Sequence, residues 1–264
     1  MKIIDYKNSL EDSYRKNKRT FIFYLVLRAL VILTLVRCIL TGNYESAMIC
    51  VLSLLLFLVP AFLQSKMRIE IPAVFQVIIF GFIYAAEILG EVNHYYVKVP
   101  GWDTMLHTMN GFLCAAIGFS LIYLLNRGSR NINLSPFYLT LVAFCFSMTV
   151  GVVWEFFEFT VDQFFYLDMQ KDFVVQTIGS VTLDPNASGM PFIVSDIIET
   201  IVNTADGRTY TIAGGYLDIG IIDTMKDLLV NLVGAVVFSI IGYSTLKFSK
   251  KSVIADNLMI KPME

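Results

Sequence analysis

The chain has 264 residues, 56% of them hydrophobic and 16% charged, and a mean hydropathy of +0.66. Soluble globular domains carry about 25% charged residues, so this composition excludes one and points to an integral membrane protein. A formal charge of -2 excludes a general attraction to nucleic acid, and there is no zinc-type cysteine spacing, glycine-rich phosphate loop or Gly-x-Ser-x-Gly elbow.

The chain opens on a polar stretch (Asp5, Lys7, Glu11, Asp12, Arg15, Lys16, Lys18, Arg19) followed by an apolar run without a small-residue cleavage site. That pattern predicts a retained spanning helix rather than a cleaved signal peptide. Apolar runs near 20–40, 46–64, 72–90, 103–125, 137–160 and 220–246 are each long enough to cross about 30 Å of hydrocarbon. The expected fold is therefore all-α: a six-helix membrane bundle forming one multi-pass domain over 1–264. Thr41, Gly42 and Asn43 close the first run, Pro72 opens the third, Pro100 and Gly101 precede the fourth, and Ser135 and Pro136 precede the fifth. Cys38, Cys50, Cys114 and Cys145 all fall inside the runs, where thiols serve as small packing groups; Cys38 and Cys50 flank one turn and could meet.

Basic residues orient such a chain, because cytoplasmic loops are enriched in Lys and Arg. The amino-terminal stretch, the 65–71 turn (Lys66, Arg68), the 126–136 loop (Arg127, Arg130) and the tail (Lys247, Lys250, Lys251) are basic, whereas the alternate connections are not. Both termini are expected in the cytoplasm and the 161–219 insertion outside. Within that insertion, 173–183 and 197–204 read as strand-like, the latter joined through Asp206-Gly207 to 209–212, a hairpin signal.

Three spans carry ionisable and amide side chains at helical spacing: Asp103, His107 and Asn110; Glu155, Glu158 and Asp162; Asp223, Asp227 and Asn231. Charges within a bilayer cost several kcal/mol unless paired or hydrated, so such residues mark a functional site by default. Each set occupies one stripe of its helix, and the topology places all three in the outer half, with Glu87 and Arg37 at the same level. Asp103 and Asp223 stand at helix starts, where aspartate is a favoured N-cap. Asn110 and Asn231 suit interhelical hydrogen bonds. Capping does not account for His107, Glu155, Glu158 and Asp227, which sit inside their spans.

Asp103-x-x-x-His107, Glu155-x-x-Glu158 and Asp223-x-x-x-Asp227-x-x-x-Asn231-x-x-Gly234-Ala235, in that order, resemble the VanZ-like membrane proteins and the related YjdF-like family over roughly 100–245. The resemblance implies a cell-envelope setting. The chain departs from the VanZ pattern where a Gln after the acidic pair and an Arg before the last motif are replaced by Asp162 and the long insertion.

Two functional classes follow, together with a purely structural role. The first is a membrane enzyme acting on a lipid or lipid-linked substrate, with Asp103, His107, Glu155, Glu158 and Asp227 as catalytic groups. The same groups, joined by Asp223, offer the oxygen and imidazole ligands of a divalent cation, and Asn110, Asn231, Asp162, Glu87 and Arg37 support them. The second is a transporter or binding protein for a cation, proton or small polar solute. The structural alternative treats the cluster as interhelical glue. In every case the lipid bilayer is the immediate partner.

Overall fold

The computed structural model describes residues 17–128, 133–248 and 257–262. The polar stretch before Asn17, and Arg130, Lys250 and Lys251, on which the orientation partly rests, lie outside the described residues. Among the described residues, six helical segments are long and apolar enough to span a membrane: Lys18–Leu40, Tyr44–Met67, Ala73–Val92, Trp102–Asn126, Pro136–Phe165 and Ile221–Phe248. They match the six apolar runs, because a chain in hydrocarbon must satisfy its backbone polar groups internally and the helix does so within one segment.

Helix α1 (Lys18–Leu40) is capped by the side chain of Asn17, which accepts from Thr20 N. Its end turns through Gly42 at φ +72°, and Asn43 caps the next helix by accepting from Ser46 N at 3.1 Å. The second span is two helices rather than the single one expected: α2 (Tyr44–Leu56) and α3 (Val59–Met67). Pro60 explains the break, since it lacks an N–H and its ring clashes with the carbonyl four residues earlier. The third span also changes character. After β1 (Ile69–Glu70), α4 (Ala73–Ile83) passes into a π-helical segment, Tyr84–Val92, that carries Glu87 and Glu91. A short helix α5 (Tyr95–Lys98) leads through Gly101, at φ +77°, to α6 (Trp102–Gly128). The fifth span is α7 (Pro136–Phe165), and it runs five residues beyond the apolar run that announced it.

The insertion contains more strand than its sequence signals suggested. The Asp206-Gly207 hairpin forms as β5 (Glu199–Asn203) against β6 (Thr209–Ala213), with Gly207 at φ +82°. Two further antiparallel pairs join β2 (Val174–Val175) to β7 (Tyr216–Leu217) and β3 (Ile178–Ser180) to β4 (Phe192–Val194). β2 and β3 fall within the 173–183 stretch that reads as strand-like, whereas β4 and β7, which pair with them from a distance in sequence, are announced by no local alternation. The last span is α8 (Ile221–Phe248), and β8 (Lys261–Pro262) pairs antiparallel with β1. The four cysteines are free thiols, including Cys38 and Cys50.

The chain divides into two compact units, Met1–Gly151 with Val230–Glu264, and Val152–Leu229; the boundary falls inside α7 and α8. The first unit holds two apolar cores. One gathers Tyr24, Leu27 and Val31 of α1 with Cys50, Phe57, Phe80 and Ile88. Arg28, beside that core, donates to the Tyr24 hydroxyl at 2.5 Å. The other joins Phe75, Leu113, Phe119, Leu139, Ala143, Ala235 and Phe238 to the carboxy-terminal residues Leu258, Met259 and Ile260. The second unit holds the strand pairs with the flanking ends of α7 and α8.

Candidate functional site

The site residues in the first unit lie on α6 and α8. Asp103 and His107 are four residues apart on α6, which brings Asp103 Oδ1 to 3.5 Å from His107 Nε2. The helix begins at Trp102, so Asp103 stands inside the first turn. His107 is buried at 9% exposure, unusual for a histidine in a span unless it has a role.

One level further along, Asn231 is 1% exposed. Its side-chain oxygen accepts from Asn110 Nδ2 at 3.2 Å, and its own Nδ2 lies 3.6 Å from Met148 Sδ. Asn110 also accepts from the Cys114 thiol at 3.4 Å. The helices can approach this closely because Gly111, Gly151 and Gly234 present no side chain there. A Cβ on Gly111 would lie 2.0 Å from Asn231 O, one on Gly234 2.0 Å from Thr108 O, and one on Gly151 2.7 Å from Asn231 Nδ2. Ser147 Oγ completes the crossing by donating to Gly111 O at 2.7 Å. Phe112 meets Phe238, and Phe119 would meet a Cβ on Gly242, so residue numbers rise together along both helices: α6 and α8 run parallel. Asn110 and Asn231 are thus the interhelical glue their residue type suggested.

Arg37 and Glu87 belong to other parts of this unit. Arg37 is exposed in the last turn of α1, where a cation complements the helix carbonyls. Glu87 is half-buried in the π-helical segment.

The second unit contains the other acids. Glu155, Glu158, Asp223 and Asp227 are all buried, at 4%, 8%, 8% and 3% exposure. Glu158 accepts from the indole N–H of Trp154, one turn earlier, at 2.8 Å. Asp162 falls two residues past the 137–160 apolar run. It lies within α7, and its two oxygens accept from the backbone N–H groups of Met169 and Gln170 at 2.7 and 2.8 Å. Asp223 Oδ2 accepts from the next amide, Lys171 N, at 2.7 Å, and the Gln170 amide reaches the Thr224 hydroxyl. Two of the expected site acids therefore secure three consecutive residues of the insertion.

Asp223 is also not the cap of α8. That role falls to Asp218, whose carboxylate accepts from Ile222 N at 2.8 Å, Phe173 N at 2.6 Å and Gly220 N at 3.3 Å. Burial works against the Asp218 charge, yet these backbone donors outweigh it and hold the carboxyl below its ordinary value. The opposite occurs at Asp172, raised by burial and by the charges of Asp168, Asp218 and Asp162.

Sequence reasoning passed over several contributors: Trp154, Ser147, Gly111, Gly151, Gln170 and Asp218. The signals were Trp154 one turn before Glu158 and Gly111 directly after Asn110, both visible only once the acid and amide are taken as anchors.

A family model described as predicted membrane protein DUF2238 matches residues 22–248. The chain belongs to that family. The match runs from within the first span to the end of the last and includes the insertion, and it does not extend to the VanZ-like proteins specifically. No curated protein and no solved structure matches the chain. It is a multi-pass integral membrane protein.

Proposed function

We propose that this protein binds a divalent cation through Asp103 and His107 of α6 and acts with it on a lipid or lipid-linked substrate. The observation that carries the reading is the Asp103–His107 pair, with its histidine buried inside a span. A carboxylate and an imidazole together are donors that suit a hard or borderline cation. Asp223 is assigned to the insertion's anchor rather than to the ligand set, and Asn110 and Asn231 to positioning.

The bound cation would supply Lewis-acid polarisation of a headgroup oxygen. The Lys and Arg distribution supports an outward-facing site at the outer leaflet. The order of the acid motifs, shared with VanZ-like proteins, agrees with a cell-envelope setting.

Elemental analysis and melting of the purified protein in lipid nanodiscs test the reading. A divalent metal should copurify, and chelation should lower the melting temperature. His107→Ala and Asp103→Ala should remove the metal and the chelator response while preserving the fold. A protein without metal, indifferent to chelator and to added cations, refutes the cation site. In that event, proton-coupled or solute uptake in liposomes would favour the transporter reading. Variants that only lower the melting temperature would favour a structural role.

A further inference from the structure

Two bulky residues of the second unit hold a left-handed backbone where its helices meet the insertion: Tyr166 at φ +55°, directly after α7, and Ile219 at φ +51°, two residues before α8. Glycine adopts that conformation without cost, whereas an aromatic or β-branched residue there is an outlier. Neighbouring carboxylates dictate both turns. Tyr166 N donates to Asp162 O at 3.1 Å while the Asp162 carboxylate holds the amides of Met169 and Gln170, and Asp218 holds those of Gly220 and Ile222 on either side of Ile219. These bonds explain the backbone but not the side chains, which are 91% and 76% exposed and gain no burial within the protein to offset the strain.

Phe164, Phe165, Leu167 and Ile221 are exposed beside them. From Val153 to Leu167 every exposed residue is uncharged, because Glu155 and Glu158 are buried and Asp162 is half-buried; the first exposed charge is Asp168. Helix lengths give the level of this apolar collar. With 30 and 28 residues, α7 and α8 rise about 45 and 42 Å, against about 30 Å of hydrocarbon and 40–45 Å with the headgroup layers included. Both helices therefore end among headgroups, and the collar continues the lipid-facing surface that Phe156 and Phe157 form about two turns earlier. Lys226 agrees with that level. It is exposed in the second turn of α8, and its ammonium lies 3.4 Å from the ring centre of Phe173, whose N–H is bonded to Asp218 ahead of the helix. The lysine thus reaches back toward the helix start, as a cation does to leave hydrocarbon.

From this arrangement we infer that Tyr166 and Ile219, with Phe164, Phe165, Leu167 and Ile221, form a collar that docks into the headgroup layer of the bilayer and fastens both ends of the insertion to the lipid surface. Aromatic side chains favour that layer, and apolar groups enter it to a depth of about 5–10 Å. The surface is separate from the proposed cation chemistry and does not depend on it.

The test uses the full-length protein in phosphatidylcholine nanodiscs, with the four native cysteines replaced by alanine and an environment-sensitive fluorophore on Tyr166→Cys. Lipid carrying a doxyl quencher at carbon 5 should quench at least about twofold more than lipid carrying it at carbon 12. Aqueous iodide should quench at least about threefold less than at Ala205→Cys, an exposed position on the β5–β6 turn. Quenching by iodide equal to that at the turn would mean that water covers the collar. Shielding from both iodide and doxyl lipid would mean that protein covers it, a second copy included, and stronger quenching by the deeper label would place it in hydrocarbon. Each of these results overturns the inference. Ile219→Cys, read in the same way, guards against a Tyr166 variant that fails to fold. Neither measurement involves metal, so failure of the collar and failure of the cation site are separately visible.

Discussion

Gly234→Ala places the sharpest demand on the α6–α8 crossing. The new Cβ would lie 2.0 Å from Thr108 O and 2.8 Å from Phe112 N, both backbone atoms that no rotamer change can move. Ordinary carbon–oxygen contacts begin near about 3.3 Å, so the helices must part by more than about 1 Å. Overpacking of this kind costs about 1–3 kcal/mol. Separation also stretches the 3.2 Å Asn110–Asn231 hydrogen bond, and interhelical bonds of that type contribute about 0.6–1.7 kcal/mol. Together the expected loss is about 2–5 kcal/mol.

Gly81→Ala is the matched control. It makes the same chemical change in a helix of the same unit, where nothing lies within 4 Å of the added methyl. There alanine should gain up to about 1 kcal/mol from its better helix propensity. Equilibrium unfolding in mixed micelles, titrated with sodium dodecyl sulfate, measures both. If Gly234→Ala changes stability by less than about 0.5 kcal/mol, surface substitutions being commonly that small, the close crossing is not a feature of the folded protein.

Three other outcomes follow from the same geometry. Asn231→Ala and Asn110→Ala should each destabilise by about 1–2 kcal/mol, and a double-mutant cycle should return a coupling of about 0.6–1.7 kcal/mol, whereas strictly additive losses would deny the bond. Asp218 is held below its ordinary pKa, so its contribution is fully present above the unfolded aspartate value of about 3.9 and is lost as pH falls through the lower folded value. Limited proteolysis of the insertion should therefore accelerate below about pH 4 in the wild type, and Asp218→Asn should be cut faster already at neutral pH; equal cutting would remove Asp218 as the anchor of α8. Asp162→Ala should free the amides of Met169 and Gln170 and raise their hydrogen exchange, while leaving metal content unchanged if this acid anchors the insertion and binds no ion.

Much of the architecture was legible because its causes are local. A run of apolar residues long enough for hydrocarbon is a span whatever surrounds it. Asn43 and Gly42 end a helix by their own chemistry, and Asp206-Gly207 turns a hairpin because glycine accepts positive φ. The acid stripes were equally plain, since helical spacing alone puts Asp103 beside His107. Pro60 was as visible as Pro72, yet its effect differed: a proline at a helix start is tolerated, whereas one within a continuous apolar run splits it.

By itself, the sequence determined six spans, a polar face on three of them, and an insertion rich in acids and short strands. Only the tertiary structure sorted those acids by task. Asp162 and Asp223 became anchors for residues 169–171, Asp218 took the cap expected of Asp223, and Asn231 became the buried partner of Asn110 at a crossing of glycines. It also seated residues 258–260 beside Ser120, more than a hundred positions away in the chain. Helical period fixes which side chains share a face of one element. Whether a carboxylate meets an amide, an imidazole or a backbone N–H depends on which distant segment packs against that face, and no local pattern encodes that choice.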